Sequence, residues 1–319
     1  MNCDLVVIGA GIQGAGVAQA ASAAGYRVIV LEQYAQPAQG TSSRSSKLIH
    51  GGLRYLETGQ FSLVKECLFE RARLLQNAPH LVKLVPFYIP VYKNSHYSSL
   101  KIAAGLSFYS LISLKPFRRI PKKSWSSLDG LRQEDLTAVY QYYDAQTDDA
   151  KLTRAVLASA ETMGAQTLFN STFVTAEIEE KSCTVHYQHN GEDKALNCHA
   201  IVNAAGPWVK HIVDKIQPQH PQQPQPDIEL IQGTHIELPG NLPQGVYYLE
   251  APQDNRAVFV MPWQDHILIG TTETPYIGDP AKVEPLEAEV DYLLDVYNHY
   301  FAQNQSLALK KSDIINAFT

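Results

Sequence analysis

The chain opens with short apolar runs separated by glycines. Leu5 to Ile8 is apolar throughout and leads into Gly9-Ala10-Gly11-Ile12-Gln13-Gly14. Ala15 to Ala24 is small and alanine-rich, closes at Gly25, and gives way to a β-rich run from Tyr26 to Leu31 that ends at Glu32. This pattern predicts strand, glycine turn, helix, strand and acid, the order of a dinucleotide-binding unit. Gly9 permits the tight turn, Gly11 lets the backbone approach a pyrophosphate, and Gly14 lets helix and strand pack closely, with the phosphates on the helix N-terminus. Glu32, eighteen residues past Gly14, is positioned to accept from the adenosine ribose hydroxyls. An acid there disfavours the 2′-phosphate of NADP.

Later segments alternate between the two periods. A helix is predicted over Leu63–Asn77, with Leu63, Leu68, Leu74 and Leu75 on its apolar face, and another over Ala145–Gly164, lined by Leu152, Val156, Leu157 and Ala160. Gln166–Phe169 and the alternating Phe173–Ile178 read as strands, and Thr184–His189 before Asn190-Gly191 reads as a β-hairpin. Ile102 to Leu114 is mostly apolar and is followed by Lys115, Arg118, Arg119, Lys122 and Lys123. That run falls short of the ~20 residues needed to span a bilayer. Two readings fit it equally: a basic amphipathic element lying on an anionic membrane surface, or a core-packed helix with a solvated end.

The glycine turn alone suits NAD as well as FAD. The segment after the second strand favours FAD: Thr41-Ser42-Ser43-Arg44-Ser45-Ser46-Lys47-Leu48-Ile49-His50-Gly51-Gly52-Leu53-Arg54-Tyr55-Leu56. Its hydroxyls and paired glycines suit a loop laid along a phosphate and an aromatic cofactor. Composition adds limits. With 319 residues, 45% hydrophobic and 18% charged, the chain has room for one large or two modest domains. A net charge of −6 gives no support for nucleic-acid binding. Cys3, Cys67, Cys183 and Cys198 are scattered, which points to a reducing compartment and away from a zinc or disulfide framework. Asp4 before the first apolar run argues against a signal peptide, so a cytoplasmic location is expected. Pro218 to Pro226, rich in Pro, Gln and His, reads as a solvated connector; no metal site is expected.

The Thr41–Leu56 block resembles, almost residue for residue, the signature of the FAD-dependent glycerol-3-phosphate dehydrogenases, relatives of D-amino-acid oxidase and glycine oxidase. Further matches follow in order: Ala78-Pro79-His80-Leu81, Asp148-Asp149-Ala150-Lys151-Leu152, Val202-Asn203-Ala204-Ala205-Gly206-Pro207-Trp208-Val209, Gly233-Thr234-His235-Ile236, Phe259-Val260-Met261-Pro262-Trp263 and Ile269-Gly270-Thr271-Thr272. The resemblance implies a Rossmann-like α/β FAD-binding domain of the GR2 flavoprotein type, interleaved with a mixed-sheet α+β substrate domain. The FAD-binding domain would take 1–84 and 141–215, and the substrate domain 85–140 and 216–319, with a membrane-contacting element at 97–125. In the family the chain continues past the point matching Thr319 into a distal arginine, a Gly-Gly-Lys-Leu-Thr-like motif and a helical domain; this sequence departs from that pattern.

The resemblance also implies chemistry: oxidation of sn-glycerol 3-phosphate to dihydroxyacetone phosphate, with hydride passing from C2 to flavin N5 and electrons continuing to quinone. His50, Arg54 and Tyr55 match positions beside the flavin ring and substrate. Arg54 is the first choice for the phosphate, because a planar fork of donors suits phosphate oxygens. His235 is a second candidate beside the substrate hydroxyl, and which imidazole is the base stays open. Cofactor contacts are expected from Gly9, Gly11, Gly14, Glu32, Ser42, Ser43, Ser46, Lys47, Leu48, Gly206 and a backbone amide near Val174. Peripheral association with the cytoplasmic face of the inner membrane and a homodimer complete the expectation. Four alternatives stay open: an oxidase passing electrons to oxygen, an enzyme acting on amines, a flavin-binding remnant without turnover, and, more distantly, an NAD-dependent dehydrogenase.

Overall fold

The short apolar runs become the inner strands of a parallel sheet. In the computed structural model, which describes residues 3–56, 58–218, 227–302 and 308–319 apart from the side chain of Arg54, the strands Ala200–Asn203, Leu5–Ile8, Val28–Leu31 and Gln166–Leu168 lie side by side in that order. All three pairings are parallel. The described helices are α1 (Ile12–Ala23), α2 (Phe61–Asn77), α3 (Ser99–Ser113), α4 (Asp149–Thr162), α5 (Val209–Val213) and α6 (Glu287–Phe301). Most of the expected connector, 219–226, lies outside the described residues.

The chain separates into two compact units. The first comprises Met1–Ser45, Asp148–Leu230 and Ile277–Lys282. The two inner strands of its parallel sheet, Leu5–Ile8 and Val28–Leu31, are covered on both faces, which is why they are apolar at every position. Val7, Val28 and Val30 meet alanines of α1 and Leu157 and Ala160 of α4. Their neighbours Val6, Ile8, Ile29 and Leu31 point the other way, onto Phe173, Val185, Tyr187 and Leu196 of a second sheet. That sheet is an antiparallel meander, Ser171–Ile178, Cys183–His189 and Glu192–Cys198. Its hairpin turns at Asn190 and Gly191, both at positive φ as a two-residue type I′ turn requires.

The second unit comprises Ser46–Thr147, Ile231–Tyr276 and Val283–Thr319. A nine-stranded mixed sheet runs through it in the order Asn316–Phe318, His235–Pro239, His266–Gly270, Ala257–Trp263, Val246–Glu250, Val82–Tyr92, Leu136–Thr147 and Leu48–Ile49, with Arg118–Arg119 also pairing to Leu136–Thr147. Alternation divides its side chains between two cores. Tyr88, Val139, Ile236, Leu249, Val260 and Ile269 face α6. Phe87, Ile89, Tyr142, Met261 and Leu268 face α2 and α3. Each such side chain taken from water contributes on the order of 1.5–3 kcal/mol.

The observed division differs from the expected one at four places. Residues 46–84 belong with the second unit, because Val64 and Leu68 of α2 pack onto the large sheet. Residues 141–147 do as well, because Leu136–Thr147 pairs along the whole of Val82–Tyr92. Residues 216–218 and 227–230 stay with the first unit, where Ile216–Gln217 pairs with the meander, and residues 277–282 belong to it as well. The helix expected from Ala145 starts at Asp149 instead: the long strand runs to Thr147, and the Asp148 side chain caps α4 by accepting from the Lys151 amide.

Candidate active site

In the first unit, the glycine loop is built by close contact within itself and with the turn after the strand Ala200–Asn203. Gly9 has φ +103°, and a Cβ there would lie 2.6 Å from the Ala204 carbonyl. A Cβ on Gly14 would lie 1.8 Å from the Gly9 carbonyl, so only glycine lets α1 start this close to the strand. Gly11 caps α1, and its missing Cβ would meet Ser42 Oγ at 3.1 Å. The same hydroxyl accepts from the Ile12 amide at 2.9 Å. A helix N-terminus with a serine hydroxyl beside it is a donor-rich end suited to phosphate oxygens.

Glu32 braces this loop. Its carboxylate is buried and accepts from the Ala10 amide at 2.7 Å and the Tyr34 amide at 2.9 Å. Burial pushes its carboxyl above the ordinary value, while the backbone N–H bonds pull the other way. Two carboxylate oxygens offer about four acceptor sites, so capacity remains for ribose hydroxyls. Ser43 Oγ donates to the Gly40 carbonyl at 3.1 Å, and Ser45 donates to Asp149 from both its amide and its hydroxyl, at 3.0 and 2.7 Å. Gly206 has φ +55° in the turn after the strand Ala200–Asn203. Val174 sits where the meander register shifts between Phe173 and Thr175, at a bulge. Serine-rich turn, helix N-terminus, glycine loop and braced acid together fit the nucleotide half of FAD.

In the second unit, the signature block meets the Gly-Thr-His strand. Ser46 Oγ lies 2.8 Å from His235 Nε2. The His235 ring is buried, stacks on Phe318 with centroids 5.0 Å apart, and sits against Gly270, where a Cβ would fall 2.1 Å from its Cδ2. Both contacts follow from register, since His235 is paired with Gly270 on one side and Phe318 on the other. Lys47, buried and at φ +59°, holds its Nζ 5.4 Å from the Phe318 ring centre and 5.6 Å from that of Trp263. Leu48 begins the two-residue strand paired to Ala145 and Gln146 and packs into the core under α2 and α3.

The His50 end of the block is a tight turn. His50 Nδ1 accepts from the Gly52 amide at 3.1 Å, and its ring lies 6.1 Å from that of Phe259. Gly52 has φ +67°, and a Cβ there would collide with the Tyr55 ring at 2.2 Å. Arg54 is in the 3₁₀ turn Leu53–Leu56, but its side chain lies outside the described residues, as does Glu57 three positions on. The structure thus groups Ser46, Lys47 and His235, and separately His50 with Tyr55 through Gly52.

Sequence reasoning passed over Phe318 as a ring partner and two buried acids. Glu289, at the start of α6, accepts from Thr234, Thr272 and Thr274 hydroxyls at 2.6, 2.9 and 2.7 Å and from Gln232 at 2.6 Å. These bonds hold its carboxyl below the ordinary value against an opposing burial effect. Asp144 is fully buried beneath His50 and Gly51, and burial raises its carboxyl despite Arg71 and Tyr109. An aspartate inside the apolar stretch Tyr142-Tyr143-Asp144-Ala145 was the available signal.

Comparison with known proteins agrees with this fold. A family model described as FAD dependent oxidoreductase matches residues 4–318. The glycerol-3-phosphate dehydrogenase of Pseudomonas aeruginosa is 38% identical over 99% of this chain and 60% of its own length. The D-erythritol 1-phosphate dehydrogenase of Brucella abortus is 35% identical over 100% of this chain and 63% of its own. The chain therefore spans less than two thirds of these relatives. Among solved structures, the glycerol-3-phosphate dehydrogenase of Bacillus halodurans, complexed with FAD, superposes with a TM-score of 0.79 at 27% identity, over 99% of this chain and 56% of that one. The L-alpha-glycerophosphate oxidase of Mycoplasma pneumoniae, at 13% identity and a TM-score of 0.78, shares the fold over 100% of this chain and 82% of its own. With a family model covering nearly every residue and the glycine loop, braced acid and mixed sheet all in place, the chain belongs to the FAD dependent oxidoreductase family.

Proposed function

We propose that this chain binds FAD and oxidises the secondary hydroxyl of sn-glycerol 3-phosphate to give dihydroxyacetone phosphate. The observation that carries the reading is the meeting of Ser46 with His235, which brings the signature block and the Gly-Thr-His strand to one buried imidazole. The substrate comes from the names of the relatives, among them the Pseudomonas aeruginosa glycerol-3-phosphate dehydrogenase at 38% identity. FAD, when bound, supplies the two-electron acceptor that no side chain can provide.

The protein's task is to bind, orient and take a proton. In the first unit, Gly9, Gly11, Gly14, Ser42, Ser43, Glu32, Gly206 and the Val174 amide hold the nucleotide half. In the second unit, Ser46, Lys47 and Leu48 serve the cofactor's other end. His50, Tyr55 and His235 bind the hydroxyl side of the substrate, and Arg54 binds its phosphate. Arg54→Ala is expected to raise the substrate KM strongly with flavin content preserved; loss of flavin instead would assign Arg54 to the cofactor or the fold.

A second substrate, D-erythritol 1-phosphate, is favoured by the Brucella relative. Both are polyol monophosphates, and comparing kcat/KM for the two, with glycine and a D-amino acid as controls, separates the readings. The acceptor is proposed to be quinone; peroxide release matching substrate consumed would make the protein an oxidase.

We also propose that α3 rests on the cytoplasmic face of the inner membrane. No described helix is long and apolar enough to cross one. Leu100, Leu111 and Leu114 are exposed by 81%, 73% and 84%, and Phe61, Phe69, Phe108 and Ile112 line an open groove of about 500 Å³ between α2 and α3. Lys115, Arg118, Arg119, Lys122 and Lys123 follow, all exposed. Apolar area beside cations suits an anionic lipid surface.

A further inference from the structure

Beneath the His50 turn lies a buried polar cluster drawn from three elements. Arg71 of α2, Tyr109 of α3 and Asp144 of the strand Leu136–Thr147 are 2%, 1% and 0% exposed. The Arg71 guanidinium makes a short charge-assisted bond to Asp144 and donates to the Tyr143 carbonyl at 3.1 Å. The Tyr109 hydroxyl donates to the other Asp144 oxygen at 2.6 Å. The Gly51 amide then donates to Tyr109 Oη at 2.9 Å, with Asp144 at 3.3 Å. Gly51 is clamped at its Cα too: a Cβ would fall 2.4 Å from both Leu68 Cδ2 and the Tyr109 hydroxyl.

We infer that the Arg71–Asp144–Tyr109 cluster positions the His50–Gly52 turn and thereby fixes His50 as a hydrogen-bond donor through Nε2. Holding the Gly51 amide and Cα sets the direction of the next amide, that of Gly52, which donates to His50 Nδ1 at 3.1 Å. An Nδ1 that accepts carries no proton, so the neutral ring carries it on Nε2. In that tautomer, His50 donates to a substrate oxygen and does not act as the proton-accepting base through Nε2. A buried ion pair of this kind is a poor source of stability compared with apolar side chains of equal volume. Its contribution here is geometry. Tyr109, Asp144 and Arg71 are positioning residues, acting through the turn.

This inference rests on the placement of His50 beside the substrate, and its test is independent of turnover. In the FAD-reconstituted chain labelled with 15N-histidine and 15N-glycine, the His50 signals, assigned by their loss in His50→Asn, should show the Nε2–H tautomer. Tyr109→Phe should speed Gly51 amide exchange about five- to tenfold beyond any change in global protection and populate the other His50 tautomer. The double variant Arg71→Met/Asp144→Met, free of buried charge, should fold and lose the same protection. An Nδ1–H tautomer in the unaltered protein overturns the inference, and that measurement decides even if neither variant folds. Unchanged Gly51 exchange and unchanged tautomer in folded Tyr109→Phe overturn it as well. Absence of flavin reduction by glycerol 3-phosphate, with Gly51 protected and the Nε2–H tautomer present, would sink the proposed substrate and leave the positioning role standing.

Discussion

Gly270→Ala perturbs the His235 site by a single methyl. The added Cβ would lie 2.1 Å from His235 Cδ2 and 2.6 Å from Nε2, where ordinary contact begins near 3.4 Å. The ring must therefore retreat by about 1.3 Å, the difference between 3.4 and 2.1 Å. It is confined by Phe318, stacked at 5.0 Å, and by Ser46 at 2.8 Å from Nε2. A retreat of that size is enough to break the Ser46 bond. Overpacking of this kind costs ~1–3 kcal/mol in stability, and misplacing a reacting group by ~1 Å costs roughly a hundredfold in rate. The assay is single-turnover reduction of bound FAD by glycerol 3-phosphate under anaerobic conditions, with flavin content read from the same spectrum. The expected outcome is full flavin occupancy, because the glycine loop and Glu32 belong to the other unit, with reduction slowed by about two orders of magnitude. A rate within threefold of the unaltered protein, with the variant folded, would refute the role given to His235.

Gly14→Ala should abolish FAD binding while leaving the large mixed sheet folded, since its Cβ would meet the Gly9 carbonyl at 1.8 Å; retained yellow colour after gel filtration would contradict this. Burial raises the Glu32 carboxyl, so the folded apoprotein binds that proton more tightly than the unfolded chain, and apoprotein stability falls as pH rises from the ordinary carboxyl value through the raised one. Ribose hydroxyl donors favour the ionised form, so FAD affinity should weaken as pH falls through the same window, and Glu32→Gln should remove that dependence in a titration of the Kd. Leu111→Asp with Leu114→Asp should reduce co-sedimentation with anionic vesicles without altering flavin content; unchanged binding would remove α3 from the membrane contact.

How far the sequence could be read depended on whether the information was local. The strand, glycine turn and helix of the first unit were legible because Gly9, Gly14 and the apolar run Leu5–Ile8 interact over a few residues. The turn at Asn190-Gly191 was legible for the same reason. Domain boundaries were less so. Nothing in the period of α2 says which sheet its Val64 and Leu68 will cover, and strand Leu136–Thr147 owes its length to pairing with a partner some fifty residues earlier. His235 was marked by its glycine-threonine context, but its surroundings were not: Phe318 and Gly270 reach it through strand register. Asp144 is conspicuous in an apolar stretch, yet its partners Arg71 and Tyr109 come from two other elements and were invisible without the fold.

The central claim, that this chain holds FAD and passes it electrons from a polyol phosphate, is tested most directly by one titration. The FAD-reconstituted chain is kept free of oxygen, and sn-glycerol 3-phosphate is added while the oxidised flavin band is followed. The account predicts stoichiometric bleaching of the band with one equivalent of dihydroxyacetone phosphate formed, and slowed bleaching in His235→Asn. A flavin that stays oxidised under saturating substrate, in a chain that binds FAD fully, would contradict it.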